Sequence, residues 1–347
     1  PGSTSTKIAV FDNNTPVFIK SLKHSSDDLK PFSKIVDQYQ FRKKAILDEL
    51  AASDIDVNSL NVIVGRGGLI KPIPSGVYEV NEAMMKDLLS GVMGQHASNL
   101  GGLIAADIAS SLSGVKAYIA DPVVVDEMQD VARIAGHPKF KRVSIFHALN
   151  QKAIARRHAH SNNRKYEEMN FIVAHLGGGI SVGAHHYGKV IDVNNALDGD
   201  GPFSPERSGS LPSGQMIKHC FSGKYTQEEM EKMVCGEGGL VAYLGTNQAY
   251  EVEIRAKEGD LESQLIQDAM AYQIAKSIGE MAVVLKGKVD AILLTGGITT
   301  NKASCDYSRK MVEFIAPVGT YPGGDEKAAL AVNASMRLNG EEEDKGY

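Results

Sequence analysis

Three glycine-bearing segments stand out by place and composition: Gly2-Ser3-Thr4-Ser5-Thr6 at the start, Gly177-Gly178-Gly179 at the centre and Gly296-Gly297 near the end. A glycine loop leaving a strand can turn several backbone N–H groups toward one point, which holds a phosphate without any charged side chain. Each segment alone also reads as a tight turn. Together they point to a nucleotide held by parts of the chain far apart in sequence. The common phosphate motifs are missing: no G-x-x-x-x-G-K-[ST] occurs, and Gly177-Gly178-Gly179 leads into a strand where the dinucleotide fingerprint requires a helix.

Two arginines could meet an anion. Arg207 lies within residues 198–212, DGDGPFSPERSGSLP, a stretch too long and too rich in Gly, Pro and Ser to be an ordinary connection. Its guanidinium would clamp a phosphoryl or a carboxylate bidentately, or else pin its own loop by pairing with a neighbour such as Glu206. Arg66, inside Gly65-Arg66-Gly67-Gly68 at a strand end, has the same two readings.

There are ten histidines. His158, His160, His185 and His186 lack the spacing that sets two rings on one ion and are expected at the surface. His175 ends an apolar strand directly before the three glycines, and reads either as part of a phosphate loop or as a buried ring satisfied by backbone. Local sequence leaves His96 and His147 undecided.

The elements that must position these groups follow one grammar. Residues 8–11 and 17–19 read as strands joined by the turn Asp12-Asn13-Asn14-Thr15, and residues 171–176 run through the glycine turn into 180–184, then through Tyr187-Gly188-Lys189 into 190–193. This is a diverged repeat, one copy per half. Strands alternating with helices follow each hairpin, predicting a mixed sheet flanked by helices in both halves. Residues 60–64 enter Gly65-Arg66-Gly67-Gly68, 117–120 enter Asp121-Pro122, and 291–294 enter Thr295-Gly296-Gly297, so several strands end on positions where a ligand could sit. Helices are predicted over 265–285 from apolar spacing, from Lys302 to about Ile315, and from Asp325-Glu326 onward with an Ala/Leu stripe.

The chain's 347 residues suffice for two domains with a core in each. A net charge of -5 without a Lys/Arg block argues against nucleic acid. Cys220, Cys235 and Cys305 form neither a disulfide framework nor a zinc pattern, which fits a reducing compartment. No leader-like or membrane-length apolar run is present, so a cytoplasmic location without membrane partners is expected.

His175-Leu176-Gly177-Gly178-Gly179, the 198–212 loop with Pro205-Glu206-Arg207-Ser208-Gly209-Ser210, the opening Pro1-Gly2-Ser3-Thr4-Ser5-Thr6-Lys7 and Thr295-Gly296-Gly297 together resemble the acetokinase family, within the acetate and sugar kinase, chaperone and actin superfamily. The resemblance spans nearly the whole chain. It implies an α/β fold of two duplicated ribonuclease-H-like, actin-like ATPase domains around a nucleotide cleft. The domains expected are 1–122 with a returning helix in 328–347, and 123–327, the latter binding ATP.

The activity implied is reversible in-line transfer of the ATP γ-phosphoryl to the carboxylate of butyrate or a similar short or branched fatty acid, with Mg2+. The chain's shortness relative to acetate kinases favours the four-carbon branch. By position, Arg207 and His175 resemble the groups that steady the phosphoryl, and Arg66 the arginine facing the acyl carboxylate. Asp121 and Glu326 resemble the magnesium-holding carboxylates, while His147 and His96 match further site histidines. Gly177, Gly178, Gly179, Ser3, Thr4 and Ser5 fall in phosphate loops, and Gly296 and Gly297 in the adenosine loop. Phe146 is expected to line the acyl pocket.

The family generally carries an asparagine immediately before the Pro-Gly-Ser opening, where the given sequence begins at Pro1, so that polar contact is either missing or supplied from outside the given sequence. Gly245-Thr246-Asn247-Gln248-Ala249-Tyr250 departs from the family's usual Asp and Arg, so adenine contacts are expected to differ. Partners implied are ATP or ADP, the acid and its acyl phosphate, with homo-oligomerisation a family expectation. The rival readings are a kinase for acetate, propionate or a branched acid, an ATP-dependent switch without catalysis, and a sugar kinase.

Overall fold

The computed structural model describes every residue except Ser3, Gly324, Asp325, Glu342 and Asp344. The chain forms two compact units, Pro1–Asp126 with Asp325–Tyr347, and Glu127–Gly324.

The first unit opens on the hairpin of β1 (Ser5–Asp12) and β2 (Thr15–Lys23), closed by a two-residue turn at Asn13-Asn14, where Asn13 takes φ 52°. Asparagine tolerates this left-handed backbone, which matches the twist of paired strands. After the one-turn α1 (Ser26–Leu29) comes α2 (Tyr39–Ala52), whose fully buried Arg42 donates to the Ser5 carbonyl at 2.9 Å and to Thr6 Oγ1 at 3.1 Å. A three-stranded sheet follows: β3 (Val62–Arg66) is parallel to β5 (Lys116–Ala120), and β4 (Val77–Glu79) pairs antiparallel with β5. Helices α3 (Glu82–Ser90) and α4 (Asn99–Ser110) lie between β4 and β5. The three-stranded sheet is mixed, as expected, and among the described residues the hairpin pairs only with itself.

The backbone of α4 lies directly against β3. A Cβ on Gly65 would stand 2.2 Å from the Gly101 carbonyl oxygen, so these glycines let helix and strand touch at the strand end that carries Arg66.

The second unit begins with α5 (Ala148–Ser161) and β6 (Asn170–Leu176), β7 (Ile180–His186) and β8 (Lys189–Val193). Helices α6 (Ser213–Cys220), α7 (Gln227–Val234), α8 (Gly239–Leu244), α9 (Ala249–Lys257) and the long α10 (Leu261–Val284) come next. Then follow β9 (Ala291–Gly296), α11 (Lys302–Val312) and β10 (Val318–Pro322). The sheet order is β10-β9-β6-β7-β8, with β10, β9 and β6 parallel and the β6-β7-β8 meander antiparallel. On one face Ile172, Ala174 and Leu176 pack with Met270, Ile274 and Ile278 of α10; on the other Phe171 and Val173 meet Ile154, Ala155 and Ala159 of α5. Burial on both faces explains why β6 reads as a continuous apolar run rather than an alternation. The last helix, α12 (Glu326–Leu338), belongs to the first unit; the Asp325 half of its expected start lies outside the described residues.

The surface expectation for the histidines fails at His185, which is fully buried, and at the half-buried His158, while His160 and His186 are exposed. The reason is strand alternation: Ser181, Gly183 and His185 share the face of β7 turned toward α5. Burial, reinforced by the charges of Lys152 and Arg156, holds the His185 pKa well below the ordinary 6.5. The folded protein therefore keeps this ring neutral while the unfolded chain takes up a proton below about 6.5, so stability is lost as pH falls through that value. Denaturant midpoints at pH 8 and pH 5 are expected to differ less in His185→Gln than in the parent. An equal or larger difference would contradict the neutral buried ring.

Candidate active site

β6 and β9 are parallel neighbours, with His175 opposite Thr295, so the Gly177-Gly178-Gly179 turn and the Gly296-Gly297 turn leave the sheet at the same edge. The carboxyl ends of parallel strands are the usual place for a ligand in an α/β sheet. The Gly177 N–H closes the turn on the Gly179 carbonyl at 3.1 Å, and the Gly178 and Gly179 N–H groups have no acceptor among the described residues. Ser204 Oγ donates to the Gly178 carbonyl at 2.6 Å, tying the turn to the 198–212 loop.

Arg207 lies against this turn. Its Nη1 donates to the Ala196 carbonyl at 2.6 Å, and a Cβ on Gly179 would fall 1.7 Å from that nitrogen, so only glycine leaves the guanidinium its place. Glu206 is not its partner: Glu206 Oε1 accepts from Asn247 Nδ2 at 2.6 Å, which also brings the Gly245-Thr246-Asn247 segment to the loop. Arg207 has no carboxylate partner among the described residues, and its Nε is buried without any hydrogen bond. A buried, unpaired guanidinium N–H is costly unless an acceptor arrives to meet it.

His175 Nδ1 lies 2.6 Å from Asn150 Oδ1, and its Nε2 faces Gly177. His147, at the N-terminal end of α5, stacks on His175 with centroids 3.8 Å apart and planes within 9°. Its Nδ1 lies 2.8 Å from Ser181 Oγ. Two stacked rings, an arginine and a glycine turn thus share one end of one sheet. Phe146, next in sequence to His147, is buried.

In the first unit, β3 and β5 run parallel with Arg66 opposite Ala120, so Arg66 and Asp121 stand at the ends of neighbouring strands. Asp121 takes φ 39°, a conformation that costs energy outside glycine and is held only where surroundings enforce it. Its Oδ1 accepts from Ser75 Oγ at 2.5 Å and from the Gly76 N–H at 3.0 Å. Arg66 Nη2 lies 3.3 Å from Glu326 Oε1 at the start of α12. His96 precedes α4, its Nδ1 2.7 Å from Ser98 Oγ. Thr4 is exposed and Ser5 begins β1, and Ser3 lies outside the described residues.

The sequence model of the acetokinase family matches residues 140–329, which include the glycine turn, both stacked histidines and Arg207. Two butyrate kinases of Clostridium acetobutylicum align with all of this chain: butyrate kinase 2 at 56% identity, covering 97% of its own length, and butyrate kinase 1 at 54%, covering 98%. The chain belongs to the acetokinase family. The fold agrees. The crystal structure of Porphyromonas gingivalis acetate kinase superposes with a TM-score of 0.75 at 17% identity, over 97% of this chain and 98% of that one. The likeness is one of fold, a mixed α/β architecture with two domains.

Several polar groups that hold the candidate site lie outside the sequence motifs: Asn150 and Ser181 behind the histidines, Ser75 on Asp121 and Arg42 on the opening strand, while Ser204 on the turn belongs to the 198–212 loop but was not singled out. The only sequence signal for Ser181 is a polar residue inside a buried strand. Among the described residues no three His, Cys, Asp or Glu side chains gather as a metal cage. Asp121 and Glu326 offer hard carboxylate oxygens, and such a donor set fits a magnesium ion that arrives with phosphates and water rather than one resident in an all-protein site.

Gly179→Ala is expected to displace Arg207 and lower turnover on the order of 10²-fold. Gly178→Ala, whose Cβ would meet nothing nearer than 3.9 Å, is expected to stay close to the parent. Equal losses in steady-state kinetics would contradict the close contact.

Proposed function

We propose that this protein is a butyrate kinase, transferring the γ-phosphoryl of ATP reversibly to the carboxylate of butyrate or a closely similar short fatty acid. The observation that carries the chemistry is Arg207, an arginine without a carboxylate partner, lying against a glycine turn with open N–H groups. The full-length similarity to two butyrate kinases supports the choice of acid.

Little covalent work falls to the protein in phosphoryl transfer, where charge spreads over the equatorial oxygens of a loose transition state. Arg207 neutralises that charge, and the N–H groups of Gly178 and Gly179 receive phosphate oxygens. His175 and His147 border the phosphoryl. Gly296 and Gly297 make room for the adenosine. In the first unit Arg66 holds the acid's carboxylate, His96 serves in orientation, and Ser3, Thr4 and Ser5 contact phosphate. No general base is required, because a carboxylic acid is already ionised at neutral pH. Asp121 and Glu326 would hold Mg2+, which when bound supplies charge neutralisation on the phosphates. Excluding water protects the acyl phosphate from hydrolysis.

The acid's length is set by pocket size, to which Phe146 contributes, and one methylene is worth only about 1–3 kcal/mol. Acetate and propionate are therefore expected as poorer substrates. A cytoplasmic location and a homo-oligomeric state belong to the same proposal.

Hydroxylamine trapping of acyl phosphate from magnesium-ATP, run across acetate, propionate, butyrate, isobutyrate and a sugar control, is expected to give the highest kcat/KM on a four-carbon acid. Activity on the sugar alone would refute the proposal. Arg207→Ala is expected to lose about 10³-fold or more in turnover; a loss below tenfold removes it from the catalytic groups. Asp121→Asn is expected to raise the magnesium concentration giving half-maximal rate, and an unchanged titration contradicts its role.

A further inference from the structure

Behind the stacked histidines runs a line of buried polar side chains that the transfer reaction does not itself require. Gln151, fully buried on the first turn of α5, reaches across β7. Its Nε2 lies 3.0 Å from the Ser181 carbonyl oxygen and 2.9 Å from Ser181 Oγ, while its Oε1 lies 2.9 Å from His185 Nε2. Tyr166 Oη closes the far end, 2.7 Å from His185 Nδ1. Gly183 sits between Ser181 and His185 on the same strand face, and a Cβ there would meet Gln151 Oε1 at 2.7 Å. The sequence Ser181-Val182-Gly183-Ala184-His185 thus alternates a hydroxyl, a gap and a ring toward one glutamine.

Hydrogen-bond chemistry orients every member. A carbonyl oxygen only accepts, so the group at the Ser181 carbonyl must be the glutamine NH2. Gln151 Oε1 then faces His185, whose Nε2 must donate, and the neutral His185 accepts the Tyr166 hydroxyl proton at Nδ1. The second N–H of the glutamine amide points at Ser181 Oγ, which also accepts from the His147 backbone N–H at 3.3 Å. With both lone pairs of that oxygen engaged, its own proton is directed to the remaining neighbour, His147 Nδ1.

We infer that the line Tyr166–His185–Gln151–Ser181 fixes His147 in the tautomer carrying its proton on Nε2, which makes Ser181 and Gln151 positioning residues for the phosphoryl site. His175 is held by a different group, with Nδ1 against Asn150 Oδ1. With that amide oxygen accepting, the two stacked rings carry opposite tautomers, His147 donating through Nε2 and His175 holding its proton on Nδ1. An N–H donor on one of two adjacent rings suits a phosphoryl oxygen, and this use rests on the kinase proposal; the tautomer itself does not.

Two readouts separate them. In 15N-histidine-labelled protein at pH 8, with the His147 signals assigned by their loss in His147→Gln, the long-range 1H–15N spectrum is expected to show a protonated Nε2 and an unprotonated Nδ1. In Ser181→Ala and Gln151→Met that assignment should weaken toward a mixture. The kcat for acyl-phosphate formation should fall at least about tenfold with KM for the acid little changed. A parent His147 protonated on Nδ1 overturns the inference even if neither variant folds. Folded variants that keep a pure Nε2–H tautomer overturn it as well. The expected tautomer in a protein that phosphorylates no acid would leave the hydrogen-bond line standing and remove the kinase proposal instead.

Discussion

The arrangement of the second unit depends on one guanidinium that is packed tightly and left without a carboxylate. Arg207 is clamped at Nη1 by the Ala196 carbonyl and pressed on Gly179, yet its Nε meets nothing. A folded protein rarely leaves such a group unmet in its interior. Here the Ala196 carbonyl and the close-packed Gly179 hold one end of the guanidinium in place, and Nε is left to a partner from outside the described residues. Glu206, its neighbour in sequence, is turned to Asn247, so the site avoids the nearest carboxylate that could quench it.

The sheet makes that placement possible. Because β6 is buried on both faces and sits between β9 and β7, its end cannot move without disturbing two helices, and the glycine turn inherits this rigidity. The opposite polarity of the two faces' demands falls on β7, which gives apolar Ile180 and Val182 to one core and Ser181, Gly183 and His185 to the polar line under α5. In the first unit the same economy appears in Gly65 and Gly101, whose close approach fixes the strand end bearing Arg66.

Much of this was legible in the chain. The glycine segments, the 198–212 loop and the strands that end on them are local signals, since turns demand glycine and buried strands demand apolar runs. Arg207 was visible as a cation in an unusual loop, but that Glu206 is turned to Asn247 rather than to it depends on contacts the local sequence does not encode. The polar line was not legible, because it arises from a register: His175 pairs with Ser181 across two strands, and α5 docks Gln151 over Gly183. His185 was misplaced to the surface because a histidine pair beside a turn looks solvent-facing, and strand alternation buries one ring and exposes the next. The division of the first half's strands into two sheets likewise depends on pairing that composition does not encode.

The central claim is that Arg207 is kept unpaired in order to receive the transferred group. A crystal structure with magnesium, ADP, butyrate and aluminium fluoride, which mimics a phosphoryl in flight, tests it directly. Arg207 Nε or Nη2 is expected within about 3 Å of a fluoride, with Nη1 still on the Ala196 carbonyl. A fluoride complex bound at the glycine turn with the Arg207 guanidinium turned away from it would contradict the account.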